Sequence, residues 1–287
     1  MEFMKVLVLG ATGMAGHMIT SYFMEKGHDV TAFSVVPVDY CNCIVGDALD
    51  EKFFKNMLVE GDYQGVINCI GILNQAAEEQ QSLAVYLNGY LPHLIANTLR
   101  ESATKLIHMS TDCVFSGKTG NYNEYSFRDG ETFYDRTKAI GEIEDNKNLT
   151  FRNSIIGPDR NENGIGLFNW FMKQEGTIHG YTKAMWTGVT TLTLAKAMEQ
   201  ALMEDITGIY NLVNNVAISK YDLLRLFNQH FKENRLTIIP SENVKSNKSL
   251  VNNRTDFSFK VPSYNQMIIE MKEWILNHKE YYPQYFN

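Results

Sequence analysis

A phenol and an amine stand four residues apart in the segment Tyr134-Asp135-Arg136-Thr137-Lys138. On a helix, side chains at this spacing lie on the same face. A phenol is a weak acid at neutral pH, and a neighbouring ammonium ion favours its phenolate form. A pair of this kind can transfer a proton near the working pH. We therefore predict that Tyr134 and Lys138 form a catalytic pair on one helix.

A second segment that could do chemistry is Gly10-x-x-Gly13-x-x-Gly16, which follows the apolar run Val6–Leu9 and opens a helical pattern over Met14–Lys26. Glycines at a strand-to-helix turn let the backbone approach a pyrophosphate closely, while the helix N-terminus supplies N–H donors. The pattern predicts a dinucleotide cradle. Its predicted cofactor contacts are Gly10, Thr12, Gly13, Met14 and Gly16.

The end of the second predicted strand, Val30–Val36, bears on the choice between NAD(H) and NADP(H). An acidic residue about 20 positions after the glycines binds the ribose hydroxyls of NAD. This strand carries no carboxylate, and Asp39 comes late enough to fall in the following loop. The pattern favours NADP(H), with Ser34 as a partner for the 2′-phosphate and NAD(H) as the alternative. No arginine or lysine follows the strand to support that preference.

Later strand ends supply further predicted cofactor contacts. Asp47 follows a short third strand, where it either meets the adenine edge or caps the next helix. Asn68-Cys69-Ile70-Gly71 ends the fourth strand, where the backbone passes close to the nicotinamide ribose. Asn88 is either a cofactor contact or a buried structural amide. The full set of these predicted contacts is Asp47, Ala48, Cys69, Ile70, Gly71, Asn88 and Asn153, together with Tyr134 and Lys138.

The segment Ser110-Thr111-Asp112-Cys113 ends the fifth predicted strand, one strand before the Tyr134 helix. A hydroxyl at this place can hydrogen-bond an oxygen that gains negative charge as a hydride arrives. Ser-Thr-Asp also occurs as a simple turn or helix cap. We predict that Thr111 is catalytic and that Asp112 and Cys113 line the substrate pocket.

Strand-like and helix-like segments alternate through the first half, which predicts a Rossmann-type α/β fold with a doubly wound parallel sheet. The long helix predicted over 80–101 should kink at Pro92, and the catalytic helix should span 132–144. We predict a cofactor-binding core over 1–155. Residues 156–287 should form mainly a smaller substrate-binding lobe, with some segments returning to the core and a loop over 243–253.

Bulk properties narrow the class of protein. The 287 residues carry a net charge of −7, which argues against a general nucleic-acid binder. Residues 6–24 lack formal charge, but glycines and polar residues interrupt them, so we expect a cytoplasmic protein without a membrane segment. The four cysteines show neither zinc-like spacing nor an ordinary disulfide pattern, and no metal site is expected.

Three motifs together resemble the extended short-chain dehydrogenase/reductase family, most closely its dTDP-4-dehydrorhamnose reductase branch. They are Gly10-x-x-Gly13-x-x-Gly16, Ser110-Thr111-Asp112-x-Val114-Phe115-x-Gly117 and Tyr134-x-x-x-Lys138-x-x-x-Gly141-Glu142. The resemblance implies a nicotinamide cofactor and a nucleotide-sugar substrate with a 4-keto group. It implies that Tyr134 donates a proton, Lys138 binds the nicotinamide ribose, and Thr111 hydrogen-bonds the substrate oxygen.

The chain departs from that branch at two places. Cys113 replaces a common aromatic residue, and the segment 250–254 only loosely matches the Arg-containing sugar-nucleotide loop. A UDP-linked N-acetyl sugar is therefore as plausible as a dTDP sugar. Arg254 either pairs with a diphosphate or lies on the surface, and Trp186 either stacks on the substrate or packs in the core. Two alternative functions stay open: a sugar-nucleotide epimerase or dehydratase, and a non-catalytic NADP-binding sensor. Homodimer formation also stays open.

Overall fold

A computed structural model describes residues 3–286, and its centre is a sheet of seven parallel strands in the order β10-β6-β5-β4-β1-β2-β3. These strands are β1 (Lys5–Leu9), β2 (Asp29–Ser34), β3 (Asn42–Val45), β4 (Gly65–Asn68), β5 (Lys105–Ser110), β6 (Leu149–Arg152) and β10 (Gly208–Asn211). The strand order reverses between β1 and β4, and such a switch point opens a crevice at the carboxyl ends of the strands. The Rossmann-type fold is confirmed.

Helices cover both faces of this sheet because its strands alternate their side chains between two apolar clusters. Within β1, Val6 and Val8 belong to one buried cluster, whereas Leu7 and Leu9 belong to the other. The helices are α1 (Met14–Glu25), α2 (Glu51–Glu60), α3 (Asn74–Glu79), α4 (Gln81–Ala84), α5 (Leu91–Thr98), α6 (Phe133–Ile140), α7 (Leu167–Met172), α8 (Thr191–Met203), α9 (Lys220–Phe231) and α10 (Tyr264–Asn277). Helices α1 and α8 contact each other, as do α2 and α5.

The helix predicted over 80–101 is broken rather than simply kinked. Its first part is α4, its last part is α5, and a π-helical segment, Val85–Tyr90, joins them. Pro92 has no N–H to donate to the carbonyl of Asn88, and the helix widens just before it. A Cβ atom on Gly141 would lie 1.9 Å from that same carbonyl oxygen, so the end of α6 approaches the π-helical segment closely.

The second half of the chain adds two small sheets. One contains β11 (Ile218–Ser219), β8 (Thr177–Trp186) and β12 (Thr237–Asn247), and the other pairs β7 (Ser154–Ile156) with β9 (Gly188–Thr190). The prediction of a loop over 243–253 is therefore wrong for residues 243–247, which belong to β12. Most side chains of β12 are exposed, so the strand shows no apolar alternation that the sequence could reveal. The division into 1–155 and 156–287 stays a prediction.

Two further features concern the membrane and the thiols. Among residues 3–286, no helix combines the length and the apolar character needed to cross a membrane. All four cysteines are free thiols.

Candidate active site

A cavity of about 350 Å³ lies at the carboxyl ends of the central strands. The turn after β1, the ends of β4 and β5, helix α6 and the start of β7 all contribute to its wall. The predicted residues that line it are Gly13, Met14, Gly16, Cys69, Ile70, Gly71, Thr111, Asp112, Cys113, Tyr134, Lys138 and Asn153. The lining residues that were not predicted are Ala15, Leu73, Asn74, Met109, Ser110, Ser154 and Ile155.

The glycine turn forms one wall of the cavity, and its geometry requires glycine at two positions. Gly10 has a φ of +81°, a region that side-chain-bearing residues rarely adopt. A Cβ atom on Gly16 would lie 2.1 Å from the carbonyl oxygen of Gly10, so the first turn of α1 packs directly against the end of β1. Gly13 is not constrained in this way, since its Cβ would find the same oxygen at 3.5 Å. The open wall at Gly13 fits a dinucleotide pyrophosphate at the start of α1.

Helix α6 forms the opposite wall and begins with a capping box. The Thr132 hydroxyl accepts a hydrogen bond from the Asp135 N–H, and the Asp135 carboxylate accepts one from the Thr132 N–H. This fixed start places Tyr134 and Lys138, one turn apart, on the cavity side of the helix. The Lys138 ammonium donates a hydrogen bond of 2.7 Å to the carbonyl oxygen of Met109 near the end of β5.

Burial sets the proton affinities of both side chains. It lowers the pKa of Lys138 to about 8, against an opposing effect of the Glu142 carboxylate. It raises the pKa of the Tyr134 phenol above its ordinary value, with a further increase from Cys113, and the Thr111 side chain opposes this increase. The pKa of Tyr134 therefore moves in the direction opposite to the predicted one. A buried, protonated phenol is suited to donate a proton rather than to abstract one.

Thr111 has a capping role in addition to its position on the cavity. Its hydroxyl oxygen accepts a hydrogen bond from the Cys113 N–H at 3.1 Å and thereby caps a short 3₁₀ turn, Asp112–Val114. The hydroxyl proton is donated to the Asp112 carboxylate at 3.2 Å. To hydrogen-bond a substrate oxygen, Thr111 must redirect that proton from Asp112. Burial raises the pKa of Asp112 and so favours its protonated form, which accepts a hydrogen bond less strongly than the carboxylate does.

Asn153 is the clearest sign that the cavity receives a polar ligand. The residue is 3% exposed and lines the cavity directly after β6. Neither its amide nitrogen nor its amide oxygen has a hydrogen-bond partner among residues 3–286. Leaving such a group unpaired costs free energy, and the carboxamide of a nicotinamide offers the complementary donor and acceptor.

A buried charge cluster behind the cavity was not predicted. The Glu142 carboxylate accepts hydrogen bonds from the Ser110 hydroxyl at 2.6 Å and from the Arg152 guanidinium at 2.7 and 2.8 Å, and Arg128 also donates to it. The side chains of Glu142 and Arg152 are both 0% exposed. The cluster ties the ends of β5, α6 and β6 together. Only the Gly141-Glu142 motif hinted at it, because the pairing partners lie on different elements.

Two residues predicted to contact the cofactor have hydrogen-bond partners within the protein. The Ser34 hydroxyl donates to the Val36 carbonyl at 2.5 Å, so its proton is already engaged. Asn88 donates both amide hydrogens, to the Ile72 carbonyl and the Thr137 hydroxyl, and accepts a hydrogen bond from the Ile72 N–H. Asn88 is a structural amide, and neither residue lines the cavity.

The substrate contacts predicted for two other residues are also corrected. Trp186 is 2% exposed, and its ring centroid lies 5.6 Å from that of Tyr264, so it packs in the core. Arg254 donates to the carbonyl oxygens of Thr207 and Ile209 and pairs with Asp256. Its guanidinium therefore binds the start of β10 and the residue before it, and it does not line the cavity.

Four further residues predicted to contact the cofactor do not line the cavity, and their roles stay predictions: Gly10, Thr12, Asp47 and Ala48. Thr12 is exposed in the turn itself. Asp47 is exposed and accepts a hydrogen bond from the Leu49 N–H, while Asp50 caps α2. Ala48 is buried, and its carbonyl accepts a hydrogen bond from the Tyr86 hydroxyl.

Comparison with protein families and curated proteins finds relatives that are described as reductases. The family model described as the RmlD substrate binding domain matches residues 4–271. A dTDP-4-dehydrorhamnose reductase from Salmonella typhimurium is 25% identical over 251 residues, 83% of this chain and 82% of that protein. A probable low-salt glycan biosynthesis reductase from Haloferax volcanii is 32% identical over 143 residues, and the match spans about half of each chain, 48%.

Solved structures support the same fold. A dTDP-4-dehydrorhamnose reductase from Bacillus anthracis, in complex with NADP, has a TM-score of 0.79 at 18% identity and covers 94% of this chain and 100% of its own. A hypothetical dTDP-4-dehydrorhamnose reductase from Sulfolobus tokodaii has a TM-score of 0.77 at 20% identity, with coverage of 91% and 98%. At these identities the likeness concerns the architecture.

Proposed function

The chain belongs to the RmlD substrate-binding-domain family, and from that premise we propose that it reduces the keto group of a nucleotide-activated 4-keto-6-deoxysugar. The observation that carries this proposal is that Thr111, Tyr134 and Lys138 line the same cavity as the glycine turn. Hydride transfer to a carbonyl needs a proton donor, a group that stabilises the developing oxyanion, and a dinucleotide site beside both.

Each of the three side chains has a defined task in the proposed reaction. The Tyr134 phenol, kept protonated by burial, donates its proton to the oxygen that gains charge. The Thr111 hydroxyl turns from Asp112 toward that oxygen and stabilises it. Lys138, anchored by the Met109 carbonyl, binds the nicotinamide ribose and replenishes the proton on Tyr134.

A nicotinamide dinucleotide bound across the glycine turn supplies the hydride. The residues that would hold it are Gly13 and Gly16 at the pyrophosphate and Asn153 at the carboxamide, where an unpaired buried amide fits that group. We propose NADP(H) as the preferred form and NAD(H) as the alternative. One related structure is described as a complex with NADP and another as a complex with NAD.

The substrate side of the cavity carries Asp112 and Cys113. Cys113 lines the cavity where an aromatic residue is common in this branch, and its side chain is smaller. This difference supports a bulkier sugar, such as an N-acetylated hexose on UDP, as an alternative to a dTDP-linked 6-deoxyhexose. The nucleotide and the sugar are therefore to be tested together.

The proposal is tested by oxidation of NADPH, followed by its absorbance, with matched panels of dTDP- and UDP-4-keto-6-deoxysugars. Stoichiometric NADPH oxidation and formation of the 4-hydroxy sugar with one of them are expected. An epimerase or dehydratase would convert the sugar without net consumption of NADPH. Tight NADPH binding without conversion of any sugar would instead favour a non-catalytic sensor and would overturn the proposed activity.

A further inference from the structure

The loop between β2 and β3, residues 35–41, folds back onto the glycine turn. The Tyr40 hydroxyl donates a hydrogen bond of 2.9 Å to the carbonyl oxygen of Ala11, inside that turn. In a Rossmann fold, the residues just beyond the second strand face the adenosine ribose of a dinucleotide. The loop that carries Asp39 and Tyr40 is therefore placed where a protein distinguishes a 2′-hydroxyl from a 2′-phosphate.

Arg160 reaches this loop from a distant part of the chain, the segment that follows β7. Its guanidinium carbon lies 4.5 Å from the ring centroid of Tyr40 and 4.7 Å from that of Tyr281. One guanidinium nitrogen donates to the Asp39 carboxylate at 3.3 Å. Two aromatic rings therefore hold the planar cation against the loop that contacts the glycine turn, which limits the conformational entropy that it loses on binding an anion.

The Asp39 carboxylate is a weak partner for this cation. The Asp39 side chain is 86% exposed, and the hydrogen bond of 3.3 Å is long for an ion pair. Exposed ion pairs of this kind add little stability because water competes for both charges. The Arg160 side chain is 27% exposed, so it is open to solvent and to a ligand. A phosphate dianion, which accepts two parallel hydrogen bonds from a guanidinium, would compete well with Asp39.

We infer that Arg160 recognises the 2′-phosphate of NADP(H) and is the residue that selects NADP(H) over NAD(H). This inference rests on the proposed dinucleotide-dependent function and goes beyond it by assigning the cofactor preference to one side chain. Arg160 also supplies the cation that the sequence just after β2 lacks. The Ser34 hydroxyl at the end of β2 is neutral and donates to the Val36 carbonyl. Asp39 should have the opposite effect on cofactor preference. Its negative charge repels a phosphate, and its carboxylate would accept hydrogen bonds from a ribose with a free 2′-hydroxyl.

The test measures dissociation constants of NADPH, NADH and adenosine 2′,5′-bisphosphate by titration calorimetry for the full chain and three variants. In Arg160→Ala, the Kd of NADPH and of the bisphosphate should rise roughly 10- to 100-fold, while the Kd of NADH stays within about twofold. In Asp39→Asn, NADPH should bind roughly twofold to fivefold more tightly. Arg225→Ala is the matched control, since Arg225 also lies over a tyrosine ring and pairs with an aspartate, but on α9.

Each outcome separates the inference from the proposed function. Equal loss of NADPH and NADH affinity in Arg160→Ala would mean that the residue only fastens the loop, and this would overturn the inference. Unchanged affinity for all three probes would overturn it as well. In both cases NADPH-dependent sugar reduction by the unmodified chain would leave the proposed function standing. Failure of the unmodified chain to bind NADPH and NADH would overturn both.

Discussion

Replacement of Glu142 by glutamine is expected to destabilise the fold strongly, because it removes one charge from a buried cluster. The Glu142 carboxylate accepts hydrogen bonds from Ser110 and from two nitrogens of Arg152, and both charged side chains are 0% exposed. Glutamine keeps the shape of glutamate and retains one oxygen acceptor. The positive charge of Arg152 then lies inside the protein without its counter-ion, and Arg128 loses its main partner.

Loss of one member of a buried ion pair costs about 3–5 kcal/mol. For a chain of this size, each kcal/mol lowers the melting temperature by roughly 2–4 °C, so the loss should be roughly 6–20 °C. The measurement is urea and thermal unfolding followed by circular dichroism. Glu144→Gln is the matched control, since Glu144 also contacts Arg128 but is 65% exposed, and its loss should cost at most about 1 kcal/mol.

The pH dependence adds a second readout for the same residue. Burial raises the pKa of Glu142, but the hydrogen bonds and charge of Arg152 prevail and hold this pKa below its ordinary value of 4.5. A carboxylate with a depressed pKa stabilises the fold above its ordinary pKa and loses that contribution as the pH falls through the folded-state value. The stability difference between the unmodified chain and Glu142→Gln should therefore shrink below a pH of about 4.5. A difference under 1 kcal/mol at neutral pH would refute the reasoning.

Three further predictions concern the glycine turn, the catalytic amine and a corrected contact. Gly16→Ala should lower the melting temperature and weaken dinucleotide binding, because its Cβ would lie 2.1 Å from the Gly10 carbonyl oxygen. Gly13→Ala is the control and should leave the melting temperature nearly unchanged. Since the pKa of Lys138 is about 8, kcat/KM should fall as the pH rises above 8 and Lys138 loses its proton. A flat profile up to pH ~10 would contradict the proposal that catalysis requires the Lys138 ammonium. Arg254→Ala should reduce stability in urea unfolding without a change in substrate KM, and a raised KM would restore the discarded substrate contact.

The parts of the site that lie on one element could be predicted from the sequence. Tyr134 and Lys138 are close because helical geometry places residues i and i+4 together, and the glycine turn follows an apolar strand whose buried character is visible in its composition. Such local patterns led to the parallel sheet and to most of the residues that line the cavity.

Contacts between distant elements could not be predicted in this way. Glu142 and Arg152 look like ordinary charged residues until the ends of α6 and β6 come together, and Arg160 gives no local sign that it reaches the loop after β2. Strand β12 was missed because it pairs through its backbone and exposes most of its side chains. The predicted contact of Trp186 rested on residue type, and that of Arg254 on residue type and a loose match to a family loop. In the structure Trp186 packs in the core and Arg254 binds backbone carbonyl oxygens.

The central claim is that the Tyr134 phenol donates the proton during reduction of the sugar ketone. The most direct measurement compares single-turnover NADPH oxidation and NADPH binding in the unmodified chain and in Tyr134→Phe. The substitution keeps the buried ring and removes only the hydroxyl, so turnover should fall roughly 10²- to 10⁴-fold while the Kd of NADPH changes by less than about threefold. Turnover within a few-fold of the unmodified chain would contradict the account.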